Sequence, residues 1–250
     1  MTINHPTPDL VPALRSLWRE AFGDTEAFLD AFTVTAMDAQ RCLCATEETL
    51  LGALYWFPCS CRGKPVAYVY GVATARAHRG KGVCRRLMEQ LHRHLAQRGY
   101  AGAVLVPGEE GLFRFYEAMG YRSFCGVREF VCAPDGQPVT VYPVDAAAYG
   151  QLRRALLPEG AVVQERENLD FLATQATLYA GEGFVLAARR EGQRLYGLEL
   201  LGDPAAAPGI LSALGCGEGS FRVFGAGRPF AMYRPLTGAP QPTYFALAFD

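Results

Sequence analysis

The residues best equipped for chemistry sit in one short basic turn: Arg76, Arg79, Lys81, Arg85 and Arg86, interleaved with Gly80 and Gly82. The turn falls where an apolar, β-branched and aromatic run ending at Val72 gives way to a helical pattern. In that pattern Cys84, Met88, Leu91 and Leu95 recur at spacings of four, three and four, which places them on one helical face, and Gly99 supplies the stop. Strand, turn, helix is the expected local order. The start of a helix already carries the positive end of its dipole, so cations crowded there destabilise the chain unless an anion joins them. The two glycines remove side chains, which lets consecutive backbone N–H groups and the unpaired donors of the first helical turn converge on phosphate oxygens. A pyrophosphate fits that cradle.

Two phosphate-binding signatures are excluded. A nucleoside triphosphatase loop needs GKS or GKT, whereas Lys81 is followed by Gly82 and Val83; a dinucleotide fingerprint with its acidic residue about 20 positions on is also absent. The run Arg79, Gly80, Lys81, Gly82, Val83, Cys84 resembles the acetyl-CoA loop of the GNAT N-acetyltransferases, whose pattern is Gln or Arg, two residues, Gly, one residue, then Gly or Ala. Cys84 departs at the last position, a small residue for a small one. Residues 100–124 follow the family's later order of strand, short helix and closing motif, and FYEAMGY at 115–121 resembles its FYEKLGF element. The plainer alternative is a basic surface turn followed by an aromatic core helix.

The resemblance implies acetyl-CoA as co-substrate, its pyrophosphate held by residues 79–84. It also implies that backbone groups of Val72, Ala73 and Thr74 meet the pantetheine arm, with the N–H near Val72 facing a developing oxyanion. Tyr116 matches the family's tyrosine near the sulfur and is the expected general acid, its plain alternative being an aromatic cluster with Phe113 and Phe115. For the general base the candidates are Glu109 and Glu110, which suit a solvated turn equally well, and the chain's last residue, Asp250, because residues 243–250 alternate like a strand. Trp56, Tyr68 and Tyr70 are expected to line the acceptor pocket or to fill the sheet. Cys84 sits where a thiol can become a nucleophile, yet the family transfers acetyl directly, so it is read as filler. His78, His92 and His94 are read as surface residues.

The expected function is therefore N-acetyl transfer from acetyl-CoA to a primary amine of a small molecule or peptide, directly in a ternary complex. A catalytically inactive acyl-CoA sensor or interaction module is the alternative, favoured by the want of an unambiguous base.

With 250 residues, half of them hydrophobic, the chain is long enough for a packed core. The net charge is −1 and cations outside the turn are scattered, so no nucleic-acid face is expected. The start, MTINHPTPDL, has no signal pattern, and the longest clean apolar run, residues 50–57, is far too short to span a bilayer, so a cytoplasmic protein without a membrane partner is expected. The eight cysteines then read as free thiols. Two CxC pairs, Cys42 with Cys44 and Cys59 with Cys61, would gather four thiolates if their strands lay side by side, but zinc sites favour wider spacing, and no metal is expected. The sequence does not specify an oligomeric state.

Helices are expected over 8–22 and onward through Met37, then strands at 41–46 and 50–57 with Pro58 interrupting, a turn at 62–64 and the central strand. A helix at 83–98, a strand at 101–106, a helix at 111–119 and a strand at 121–132 follow. The fold class is α/β, mixed α+β: a GNAT fold with a central, mostly antiparallel sheet flanked by helices over residues 1–133. After the APDGQP punctuation comes a smaller α+β domain over 138–250. Its pattern reads helices at 145–157 and 168–180, strands at 184–190 and 194–201, a helix near 205–214, and strands near 220–224, 229–236 and 243–249. This order partly echoes the first half without its two motifs, as in a degenerate GNAT-like half unable to bind CoA; an unrelated cap is the alternative.

Overall fold

A computed structural model describes residues 1–250 except Ala239 and Asp250. The chain divides into two compact units. The first gathers Met1–Leu105, Arg114–Tyr121 and Tyr233–Pro240; the second gathers Val106–Phe113, Arg122–Met232 and the chain from Gln241 on. This division does not coincide with a single cut near residue 133, because strand pairing rather than chain order decides which segments belong together.

In the first unit β1 (Thr2–Asn4) precedes α1 (Val11–Phe22) and α2 (Glu26–Thr35). Pro12 lies in the first turn of α1, where its missing N–H is no loss, and Gly23 at φ 75° ends the helix with a left-handed cap. Thr25 then caps α2 by accepting from the Phe28 N–H. Leu14, Leu17, Trp18, Leu29 and Phe32 are buried, so both helices turn their apolar stripes inward. Strands β2 (Cys42–Thr46), β3 (Leu50–Cys61) and β4 (Lys64–Thr74) form an antiparallel meander. Arg62 and Gly63 join β3 to β4 with positive φ at both positions, the turn that matches strand twist. Pro58 does not interrupt β3. Pairing with β2 ends at Tyr55, so a residue without an N–H at 58 breaks no bond to that neighbour.

Near its end β4 carries a bulge. Ala53 pairs with Ala73 and Tyr55 with Tyr70, so three steps on β4 face two on β3. Gly71 adopts φ 58° there, and a Cβ on it would lie 2.8 Å from the Trp18 ring. A bulged residue leaves the ladder. Helix α3 (Val83–Gln97) then returns the chain to β5 (Gly102–Leu105), which runs parallel to β4 only where Val66, Ala67 and Tyr68 face Gly102, Ala103 and Val104. Beyond Tyr68 the edge of β4 is therefore left open on the β5 side. Leu87, Met88, Leu91 and Leu95 of α3 are fully buried. Helix α4 (Gly111–Glu117) leads towards β6 (Arg122–Cys132).

The second unit contains β7 (Val141–Pro143), α5 (Ala146–Leu156), β8 (Val163–Gln164), α6 (Glu167–Gln175), β9 (Thr177–Gly181), β10 (Phe184–Glu191), β11 (Arg194–Gly202), α7 (Ala207–Leu214), β12 (Glu218–Phe224) and the start of β13 (Arg228–Pro235). Apart from β8, its order repeats that of the first: a short strand, two helices, a three-stranded antiparallel meander, a crossover helix and a parallel strand. β7 pairs with β9 as β1 pairs with β2, β12 lies parallel to β11 as β5 does to β4, and β11 carries its own bulge opposite Ala187 and Ala188. β6, expected to close the first half, pairs antiparallel with β12 in this unit.

Two expected elements differ. The helix expected over 168–180 ends at Gln175, because Thr177, Leu178 and Tyr179 pair with β10 across a turn at Gly183. Residues 243–249 form no strand, although Tyr244 to Phe249 are all buried. Two of their carbonyls are instead held by residues 162 and 164: the Val162 N–H donates to the Tyr244 carbonyl, and the Gln164 amide to the Leu247 carbonyl. The alternation in that stretch reflects burial on all sides rather than a pleat.

Candidate active site

The basic turn folds as its residue types require. Gly80 and Gly82 both take positive φ, 74° and 78°, and a Cβ at either would meet nothing within 4 Å. The space over the loop is open. Gly82 is the N-cap of α3 and offers no side chain, while the first intrahelical bond runs from the Arg86 N–H to the Gly82 carbonyl. The N–H groups of Val83, Cys84 and Arg85 thus lack intrahelical partners. The Arg79 Nε donates to the Thr74 carbonyl at 3.2 Å, tying the loop to the end of β4. Arg76, Arg79, Lys81, Arg85 and Arg86 are exposed, and among the described residues none enters an ion pair. An open helix N-terminus ringed by exposed cations is what these residues make.

Cys84 is partly buried, and burial pushes its thiol up to about 12. It stays protonated at neutral pH, which removes the nucleophile reading and leaves a small side chain at the start of α3. Tyr116 on α4 is buried, and burial with Cys84 nearby raises its phenol above the ordinary range. The structure thus brings the loop and Tyr116 together in one unit, with Cys84 at the start of α3 near enough to act on the phenol. A protonated phenol there is a proton donor at all working pH values.

Other expected site residues are placed differently. Glu109 and Glu110 are exposed and group with the second unit; their carbonyls accept from the N–H groups of Leu112 and Phe113, making the turn that starts α4. Asp250 lies outside the described residues. Trp56 packs against His94 and His5 with ring centroids 5.4 and 6.4 Å away, on the α3 side of the sheet. Tyr68 and Tyr70 face the other side, where Tyr70 lies 5.6 Å from Trp18 and Tyr68 stacks on Phe57. A shallow apolar cleft of about 10 Å³ opens on that side among Leu14, Arg15, Trp18, Leu29, Phe32 and Tyr55. The sequence places the acceptor between the opening helices and the strand with Tyr55, Trp56 and Phe57 but singles out no residue of α1 or α2, since an inward aromatic stripe has the same signature whether it packs or lines a pocket.

His92 is a correction. It is 5% exposed and its Nε2 is hydrogen-bonded to the Tyr121 hydroxyl at 2.9 Å. The stripe on α3 is wide enough to take in His92, one turn beyond Met88, and the helix is not solvated there. His94 is half-buried against Trp56. The four CxC sulfurs do not assemble: Cys42 and Cys44 lie 3.8 Å apart opposite Tyr55 and Ala53, whereas Cys59 and Cys61 pair far along β3 with Val66 and Lys64. Among the described residues no group of three or more metal-ligating side chains is gathered, and no helix is long and apolar enough to cross a membrane.

The acetyltransferase (GNAT) domain model matches residues 2–124, the stretch that holds the loop, the bulged strand and Tyr116. This part of the chain belongs to the GNAT acetyltransferase family. The protein is an acyltransferase by that membership. Solved structures share the fold over nearly the whole chain. A GCN5-related N-acetyltransferase from Anabaena variabilis aligns at TM-score 0.73 and 13% identity, covering 94% of this chain and 73% of the other. One from Kribbella flavida gives TM-score 0.70 and 16% identity, covering 94% and 70%. One from Sphaerobacter thermophilus gives 0.54 and 12% identity, covering 98% of both. At these identities they speak for the fold alone. No curated protein sequence matches the chain.

In the second unit the corresponding helix start is a different object. The stretch before α7 carries Asp203, which caps the turn at Ala205, and no cation between 203 and 209. The Val139 N–H donates to the Gly209 carbonyl, and a Cβ on Gly209 would lie 2.7 Å from Val139. Chain fills the space that the first unit leaves open beside its loop.

Proposed function

We propose that the first unit binds acetyl-CoA and transfers its acetyl group to a primary amine of a small molecule or peptide. The observation that carries this reading is the open, side-chain-free start of α3 ringed by unpaired cations. A bound acetyl-CoA would supply an acetyl group activated as a thioester. Arg79, Lys81 and the N–H groups from Gly80 to Cys84 hold the pyrophosphate. The backbone of Val72, Ala73 and Thr74, on the open edge of β4, pairs with an extended amide-bearing arm as an added strand would. The bulge aims the Val72 N–H at the thioester oxygen, where a donor is worth most as charge develops. The Tyr116 hydroxyl gives its proton to the departing thiolate, and a base takes the proton that the attacking amine loses.

The acceptor enters over α1 and α2, where Leu14, Trp18, Phe32 and Tyr55 line the shallow cleft. The second unit is a GNAT-like repeat without a cofactor site, consistent with its uncharged, chain-filled α7 start. The direct test is turnover followed by free-thiol release across a panel of amines. Tyr116→Phe is expected to lower kcat by about 10²-fold while CoA still binds; an unchanged kcat contradicts the assigned role. Tight CoA binding with no turnover on any amine would mark a sensor instead.

A further inference from the structure

Tyr116 leans on a second tyrosine. The rings of Tyr116 and Tyr121 meet edge to face, with centroids 5.8 Å apart at 68°. Tyr121 is fully buried, and its hydroxyl is hydrogen-bonded to His92 Nε2 at 2.9 Å. The motif form that residues 115–121 resemble closes in Phe where this chain carries Tyr121 and its hydroxyl. His92 follows Cys84 and Met88 at successive spacings of four along α3, so all three share one stripe. One buried bond therefore joins the helix whose start forms the loop to the segment that carries Tyr116.

Packing alone does not account for this pair. Burying a phenol and an imidazole is unfavourable unless they satisfy each other, and here the second ring nitrogen of His92, Nδ1, is buried without a partner. A leucine and a phenylalanine would fill the same space without that penalty. We propose that His92 and Tyr121 are positioning residues: their bond locks the Tyr121 ring, which holds the Tyr116 phenol against the start of α3. This rests on the reading of Tyr116 as the proton donor. Arg234 braces the same segment by donating to the Met119 carbonyl. Burial, with the Arg234 charge nearby, pushes His92 down to about 3, so the imidazole is neutral and the bond persists throughout the range in which amines are acetylated.

The test uses the full chain with 3-fluorotyrosine in place of Tyr116, compared by fluorine NMR with and without Tyr121→Phe or His92→Leu. The parent is expected to show one dominant ring environment, and each variant extra or exchange-broadened signals. In acetyl transfer both variants should lower kcat about tenfold with the KM for acetyl-CoA unchanged, and the double variant should lose no more than either single one. Tyr121→Phe keeps the ring and decides alone if His92→Leu does not fold. An identical fluorine spectrum in parent and Tyr121→Phe overturns the inference, as does an equal loss through KM. If the parent turns over no amine, the transferase reading falls, and the spectrum still decides whether the pair holds Tyr116.

Discussion

Single residues carry two consequences that solution measurements can check. His92 has an ordinary pKa of about 6.5 when exposed and about 3 in the folded chain. Below 6.5 the unfolded chain binds a proton that the folded one refuses, so this contribution is complete above 6.5 and is lost as the pH falls towards 3. Between pH 6.5 and 4 the parent is expected to lose roughly 3 kcal/mol more stability than His92→Leu in urea denaturation; parallel pH profiles would contradict the buried, neutral imidazole. The second case is Glu199, 0% exposed, which accepts from Arg153 at 2.7 and 2.8 Å and from the hydroxyls of Tyr149 and Tyr244. Glu199→Gln leaves the Arg153 charge buried without its counter-ion and is expected to lower unfolding free energy by about 3–5 kcal/mol. Neither residue stands out in the sequence: His92 looks like part of a basic helix, and Glu199 is one acid in an apolar strand. What distinguishes them is a partner tens of residues away.

At the scale of elements, α3 and its loop are legible in the sequence because every cue is local. Glycines at fixed offsets, a cationic run and a helical stripe with a glycine stop occupy one contiguous stretch, and the structure reproduces them within a residue or two. Tyr116 is legible for the same reason, through a motif of seven adjacent residues. The bulge in β4 is hinted at by Gly71, but a glycine in a strand has several explanations; its φ of 58° and its approach to Trp18 emerge only in three dimensions. Gly71→Ala is expected to destabilise the chain by about 1–3 kcal/mol through the strained backbone alone, and more through the clash with Trp18. Calorimetric melting that is unchanged would show that the bulge relaxes freely. Residues 176–181 and 243–249 depart from expectation because pattern cannot tell a helix end from a β-branched strand start, or a buried irregular tail from a strand. In the first case a hairpin partner decides the outcome, and in the second the backbone bonds to residues 160–164.

For the whole molecule, sequence order suggests two successive domains, and the duplicated element order supports two related units. Membership of those units is not legible. Whether residues 122–132 and 228–235 join the unit before or after them depends on pairing between positions some ninety residues apart, as where Glu129 faces Arg222, and local pattern holds no record of that. The duplication also sharpens the functional expectation, because only one of the two crossover helices begins with glycines, free cations and open space. The proposed function therefore predicts one cofactor per chain.

Calorimetric titration of the intact protein with acetyl-CoA and with CoA is therefore the most direct measurement, repeated on Gly82→Glu, which puts a charged side chain at a φ of 78° in the loop. Binding of one equivalent per chain with micromolar affinity, abolished by Gly82→Glu, is the expected result. No binding by the parent, or binding that survives Gly82→Glu, would contradict a cofactor site at the start of α3.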